Sequence, residues 1–91
     1  MTRNELEAAA ESLRRAAGAA GTEKARERLR EQSERFESHA EADRGPDHGR
    51  LAHHEHVLAE IADEEGSDEA IEHVESALES IRAYRETVEG V

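Results

Sequence analysis

The chain has 91 residues, with nineteen glutamates and four aspartates against eleven arginines and one lysine, and its formal net charge is −11. This balance excludes the extended basic surface that nucleic-acid binding requires, so we expect no binding to nucleic acid and none to anionic membranes. No cysteine is present, which excludes disulfides, thiolate metal sites and cysteine nucleophiles.

The first two predicted elements are alanine-rich helices. Apolar residues recur at helical spacing, and the alternation typical of β-strands is missing. We predict a first helix over about 3–18, ended by Gly18 and Gly21. We predict a second helix over about 23–42, with Thr22 as its N-cap. Because alanine forms most of their apolar positions, these helices offer little side-chain volume for a core.

The strongest break in the chain is a turn at 43–47. Gly45 and Pro46 cannot continue a helix, and Asp47 suits the N-cap of the next one. We therefore predict a third helix over about 48–64, whose apolar side chains share one face.

The fourth predicted helix, over about 68–89, has the clearest apolar stripe. Gly66 ends the third helix, and Ser67 is the predicted N-cap of the fourth. Residues at the 3-4-3-4 spacing of a coiled-coil seam form the stripe: Ile71, Val74, Leu78, Ile81 and Val88. The stripe suits the core of one chain or the seam of a dimer. Because alanine-rich helices cannot cover it fully, we predict self-association through it.

Short connections make sequential helices antiparallel neighbours. We therefore predict an all-α fold with a single helical domain over 1–91, in which two antiparallel helical hairpins form a small four-helix bundle. Few large apolar side chains are available, and small cores are commonly completed by oligomerisation. The bundle is expected to be complete within one chain or to be completed in a homodimer.

Six histidines supply the candidate metal ligands. His53 and His56 are three residues apart and His56 and Glu60 four apart, so each pair shares a helix face. A metal site formed by His53, His56, Glu60 and His73 between the third and fourth helices is one prediction. A helical wheel places these residues away from the apolar stripes, which indicates exposed side chains instead. Only His54 falls within a stripe, where a hydrogen bond to a neighbour on the second helix would suit it.

The run His53-His54-Glu55 and the His56-x-x-x-Glu60 spacing resemble hemerythrin-like cation-binding bundles. The resemblance implies a metal held by histidines and carboxylates inside the bundle. Such bundles carry ligands on all four helices, whereas the first segment here has no histidine.

The turn and its flanks combine charged residues with a rigid Gly-Pro pair, and such loops often carry function. Arg44, Asp47, His48 and Arg50 are the candidates for binding a partner or an anion, assisted by the amides at the start of the third helix. The structural alternative is that Arg44 and Arg50 pair with Asp43 and Asp47 to fix the turn.

A composition rich in glutamate and almost without lysine is typical of proteins that work in concentrated salt. A net charge of −11 destabilises a compact chain in dilute buffer, and molar salt shortens the Debye length to roughly 3 Å. No apolar run suits a membrane span or a signal peptide. We therefore predict a cytoplasmic protein of a halophilic archaeon. The stretches DRGPDHGRLA at 43–52 and IRAYRETVEGV at 81–91 resemble a family of short, uncharacterised proteins of halophilic archaea, which implies one domain but no functional residue.

These observations favour a non-enzymatic protein-interaction or regulatory module without a cofactor. No serine lies in a Gly-x-Ser-x-Gly motif, and no glycine-rich phosphate loop is present. The expected partners are a second copy of the chain and an unidentified protein. The alternatives are a metal-binding bundle, hemerythrin-like or zinc-dependent, and an acidic decoy that mimics nucleic acid. Convergence of the histidine side chains on one point would favour the metal-binding bundle. Binding to a basic protein that weakens as salt is added would favour the acidic decoy.

Overall fold

A computed structural model describes residues 4–88, and helices form where the sequence predicts them. They are α1 (Asn4–Ala19), α2 (Glu23–Glu41), α3 (His48–Glu64) and α4 (Asp68–Thr87). Within the described range there is no strand, and none of the helices is long and apolar enough to cross a membrane. The predicted outer bounds at 3 and 89 lie outside the described residues.

Three of the helices begin at the N-caps that the sequence predicts. In each case a side-chain oxygen accepts a hydrogen bond from the backbone N–H three residues later, which satisfies one of the donors left over at a helix start. The bonds run from Ala25 to Thr22 at 3.1 Å, from Arg50 to Asp47 at 2.8 Å and from Ala70 to Ser67 at 3.2 Å. These caps confirm the predicted starts of α2, α3 and α4.

The four helices form a bundle in which each contacts its two neighbours around a ring. The most extensive contacts of α1 are with α2 and α4, while α3 closes the ring with looser contacts to both. Residues that α1 buries are mostly alanines: Ala9, Ala10, Ala16 and Ala17. Small side chains let helix backbones approach closely, whereas the leucine and isoleucine side chains of α3 hold it further away. The predicted all-α bundle of two hairpins is confirmed.

The apolar stripe of α4 lies mostly inside the core of a single chain. Val74 and Ile81 are completely buried, and Leu78 is 8% exposed. The alanine-rich helices cover more of this stripe than the sequence suggests, because the close approach of α1 compensates for its small side chains. Of the predicted self-association residues, only Ile71 and Val88 remain partly exposed. A dimer through the buried residues would require the core to open, so dimerisation stays a prediction that needs another surface.

A buried glutamate joins the two turns at one end of the bundle. Glu65, which is 7% exposed, lies in the α3–α4 turn. Its Oε1 accepts hydrogen bonds from the backbone N–H groups of Gly21 at 2.9 Å, Gly66 at 2.8 Å and Ser67 at 3.0 Å. Gly21 belongs to the α1–α2 turn, so this carboxylate connects the two hairpins. The α2–α3 turn lies at the opposite end, since consecutive helices are antiparallel.

Candidate anion-binding site at the α2–α3 turn

A chain of hydrogen bonds between polar side chains crosses from α2 to α3 near the α2–α3 turn. His54 Nδ1 lies 2.8 Å from Gln32 Oε1, and His54 Nε2 lies 3.2 Å from His39 Nε2. The ring of Phe36 packs beside both imidazoles, with ring centroids 4.7 Å from His54 and 5.7 Å from His39. His54 is only 4% exposed. The predicted hydrogen bond from His54 to the second helix is therefore present.

The partners determine which nitrogen carries the proton on each ring. Gln32 Oε1 can only accept, so His54 Nδ1 must donate to it. In the neutral ring, His54 Nε2 is then an acceptor. His39 must therefore donate its Nε2–H across the 3.2 Å contact. The chain runs in one direction, from His39 through His54 to Gln32.

Both histidines are held in the neutral form. Burial lowers the pKa of His54 to about 4, and the charges that His39 and His53 carry when protonated, and those of Arg35 and Arg50, act in the same direction. Burial also lowers the pKa of His39, and the charges of Arg50 and Arg35 lower it further. The environment of the pair is therefore electropositive, in a protein whose net charge is strongly negative.

An open cavity of about 360 Å³ lies at the turn beside His39. The other residues that line it are Arg44, Gly45, Pro46, Asp47 and Arg50. Within residues 4–88, neither Arg44 nor Arg50 takes part in an ion pair. The alternative in which these arginines pair with aspartates to fix the turn is therefore wrong for the described residues. Asp47 instead caps α3 through the backbone N–H of Arg50.

Three of the four turn residues predicted to bind an anion meet at this cavity, but His48 does not. The ring of His48 faces α4, where Arg85 Nε donates to its Nδ1 at 3.5 Å. Arg85 also forms an ion pair with Glu55 at 3.0 Å. Sequence analysis missed His39 as a lining residue. Its position in the last turn of α2 beside the break at 43–47 was the available signal.

The predicted metal ligands do not converge. Within the described residues, no group of three or more histidine, aspartate or glutamate side chains is placed to hold a metal ion. His56 pairs along α3 with Glu60 at 3.2 Å, and His73 pairs along α4 with Glu69 at 3.9 Å. His53 is exposed, as the helical wheel indicated. A single copy of the described chain therefore does not form the metal site.

A larger groove of about 430 Å³ lies between α1 and α2. Arg14 and Arg26 line it, but Arg14 pairs with Glu37 and Arg26 with Glu23. Only Arg30 is left there without an ion pair in the described part of the chain. The smaller cavity at the turn thus has the greater unneutralised positive charge.

Comparison with known proteins gives a family but no function. No curated protein and no solved structure matches the chain. The family of unknown function DUF7553 matches residues 1–87, which is nearly the whole sequence. This chain therefore belongs to DUF7553, a family of unknown function.

Proposed function

We propose that this protein is a non-enzymatic interaction module that recognises an anionic group of a partner protein at the α2–α3 turn. One observation carries the proposal: Arg44 and Arg50 face the same cavity without ion pairs in the described structure. In a chain with 23 acidic and 12 basic residues, two such guanidinium groups on one concave surface form a local positive site that suits an anion. A guanidinium fork binds carboxylate and phosphate oxygens through paired hydrogen bonds.

The lining of the cavity supports binding rather than covalent chemistry. Among the described residues that line it there is no serine, threonine or lysine, and the one carboxylate belongs to Asp47, which is engaged as the N-cap of α3. Pro46 is buried in the turn, and proline restricts the backbone conformations that the turn can adopt. The turn thus holds Arg44 and Arg50 on a backbone that is ordered before an anion arrives, which reduces the entropy lost on binding.

The composition supports a halophilic archaeon and its cytoplasm as the setting. One lysine among 12 basic residues and a net charge of −11 suit a solvent in which carboxylate repulsion is screened. In such a solvent, long-range attraction between charges is weak, so recognition must rely on short hydrogen bonds. Paired guanidinium contacts meet this requirement because their geometry provides the specificity.

The test is a titration with potassium phosphate, followed by the backbone amide signals of the ¹⁵N-labelled protein at constant ionic strength. We expect saturable shifts confined to residues of the turn and the start of α3. The variant Arg44→Gln/Arg50→Gln should lose them. The matched control is Lys24→Gln/Arg82→Gln, which also removes two cations that have no ion pair in the described range and do not line the cavity. Equal loss of binding in both variants, or shifts spread over the whole bundle, would contradict the proposal.

A further inference from the structure

A second open cavity, of about 240 Å³, lies between α2 and α3. Gln32 and Arg35 of α2 line it on one side, and His53 and His54 of α3 line it on the other. The anion site proposed at the turn does not use this cavity. Its wall is polar, and one side chain in the wall has a hydrogen-bonding group without a partner.

That group is the amide nitrogen of Gln32. The side chain of Gln32 is only 8% exposed, and its Oε1 accepts a hydrogen bond from His54 Nδ1 at 2.8 Å. The bond leaves Nε2, with its two N–H groups, as the part of the amide that is free to face the cavity. Nε2 has no hydrogen-bond partner among the described residues. A buried donor held without a partner on a cavity wall indicates a ligand that brings an acceptor.

The charges in this cavity are already balanced. Arg35 forms an ion pair with Glu31 at 3.0 Å. Two guanidinium nitrogens of Arg28, which also lines the cavity, lie 3.7 Å from Glu60 Oε1 and 3.6 Å from Glu64 Oε1. The arginines at the turn have no such partners in the described range. The second cavity therefore suits a neutral acceptor such as a carbonyl, whereas the cavity at the turn suits an anion.

The two cavities follow one another along a single groove between α2 and α3. His54 lines one cavity and His39 the other, and their Nε2 atoms are 3.2 Å apart. Gln32 and His39 are seven residues apart on α2, and Arg50 and His53 are three apart on α3, spacings that keep side chains on one helix face. Seven helical residues rise about 10 Å, which is the length of about three residues of extended peptide.

We propose that the α2–α3 groove binds an extended acidic segment of a partner protein, with a carboxylate on Arg44 and Arg50 and a main-chain carbonyl, about three residues away, on Gln32 Nε2. This inference rests on the anion site proposed above and adds the class of partner and the residue that selects it. A polypeptide offers a neutral carbonyl at every residue beside an acidic side chain. A nucleic-acid backbone would instead bring a second negative charge to a cavity whose arginines are already paired.

The test compares acetate with the acetylated and amidated heptapeptide AAADAAA, titrated at constant ionic strength into the ¹⁵N-labelled protein. We expect the peptide to bind about fivefold more tightly than acetate, which corresponds to one additional hydrogen bond. Gln32 is the only glutamine and Asn4 the only asparagine of the chain, so the side-chain amide signals of Gln32 are readily assigned. The peptide should shift these signals downfield, and acetate should not. The control peptide AAANAAA lacks the carboxylate and should not bind.

The variant Gln32→Glu keeps an acceptor for His54 Nδ1 but presents an oxygen to the cavity instead of a donor. Because acetate and the peptide each carry one negative charge, the added charge weakens both, and the ratio of their affinities isolates the lost donor. We expect this ratio to fall from about five to about one. The control Ser76→Glu adds the same charge at an exposed position outside both cavities and should preserve the ratio. Arg44→Gln/Arg50→Gln should lose both ligands.

The outcomes separate this inference from the anion site. Equal affinities for acetate and the peptide, or a peptide advantage that persists in Gln32→Glu, would overturn the inference and leave the anion site standing. Unmoved Gln32 amide signals in the peptide complex would do the same, and that measurement requires no variant. Binding of AAANAAA as tightly as AAADAAA would overturn the carboxylate contact and the inference that depends on it. If acetate, phosphate and the heptapeptide all fail to bind, both proposals are wrong.

Discussion

His54 is a titratable residue that the fold holds inside the core. Its two ring nitrogens are occupied by Gln32 and His39, and it is nearly inaccessible to water. Burying a neutral imidazole costs little folding free energy when both of its nitrogens are hydrogen-bonded. Burying the same ring in its charged form costs much more. The residue therefore links stability to pH through its position alone.

We predict that acidification destabilises the protein through His54. Its pKa is about 4 in the folded chain and about 6.5 in an unfolded chain. Between these values the unfolded state binds more protons, so stability is complete above about pH 6.5 and falls as the pH drops toward about 4. The free energy of unfolding should decrease by about 2 kcal/mol from pH 7 to pH 5.

Urea unfolding at constant salt, followed by helical circular dichroism, measures this loss. The control is His54→Gln, which can accept from His39 and donate to Gln32 but does not titrate. Protonation of carboxylates is common to both proteins, so the difference between their pH slopes isolates His54. Identical slopes would show that the buried ring is not the source of acid sensitivity.

At the scale of the elements, the bundle depends on how its turns are joined as well as on its helices. The α1–α2 turn and the α3–α4 turn meet through Glu65 Oε1, which accepts three backbone N–H groups. Its Oε2 is buried without a hydrogen-bond partner in the described residues, so Oε1 alone holds the carboxylate. A Cβ atom on Gly21 would lie 2.7 Å from Oε1. The close approach of the turns therefore requires glycine at this position.

We predict that Glu65→Ala lowers the free energy of unfolding by about 2 kcal/mol, because three donors lose a charged acceptor. Gly21→Ala should cost about 1–2 kcal/mol of folding stability in the parent chain and close to nothing in the Glu65→Ala background, where the clashing oxygen is gone.

Two neighbouring substitutions serve as controls. Glu64→Ala should cost less than about 0.5 kcal/mol, since the ion pair of Glu64 is exposed. Gly18→Ala should stabilise by about 0.5–1 kcal/mol, because the added Cβ has no atom of another described element within 4 Å. Additive costs of Gly21→Ala and Glu65→Ala would refute this coupling.

At the scale of the whole molecule, net charge opposes the fold. Most ion pairs in the described part of the chain are on the surface, including those of Arg14, Arg15 and Arg35 with neighbouring glutamates. Each exposed ion pair contributes little to the free energy of folding. The net charge of −11 leaves repulsion between like charges in dilute buffer, and salt in the solvent screens that repulsion.

We predict that removing exposed negative charges replaces part of the effect of salt. The variant Glu27→Gln/Glu75→Gln/Glu79→Gln changes exposed side chains that form no ion pair in the described range. In dilute buffer it should be about 1 kcal/mol more stable than the parent, and the difference should vanish in molar potassium chloride. The opposite control, Lys24→Gln/Arg30→Gln/Arg82→Gln, should be less stable in dilute buffer. The same differences at both salt concentrations would show that helix propensity, not repulsion, is responsible.

Much of the fold could be predicted from neighbouring residues alone. The helix starts at Thr22, Asp47 and Ser67 depend on a side chain and an amide three residues later, and apolar spacing indicated the buried faces. At the cavity of the candidate site, the structure brings Arg44, Asp47 and Arg50 together with His39, which spacing did not indicate, and it places His48 against α4. The direction of a side chain at a helix end depends on the helix packed against it, which spacing does not encode.

The sequence by itself determined where the helices lie, where α2, α3 and α4 begin, and that the chain is strongly acidic, because propensity, capping and charge are local or additive properties. Only the tertiary structure decided the rest. It buried the α4 stripe because alanine lets α1 approach, and it separated the predicted metal ligands because they lie on outward faces. It also placed His39 against His54 and Glu65 against Gly21. These outcomes depend on distances between helices, which are set by the volumes of all the packed side chains together.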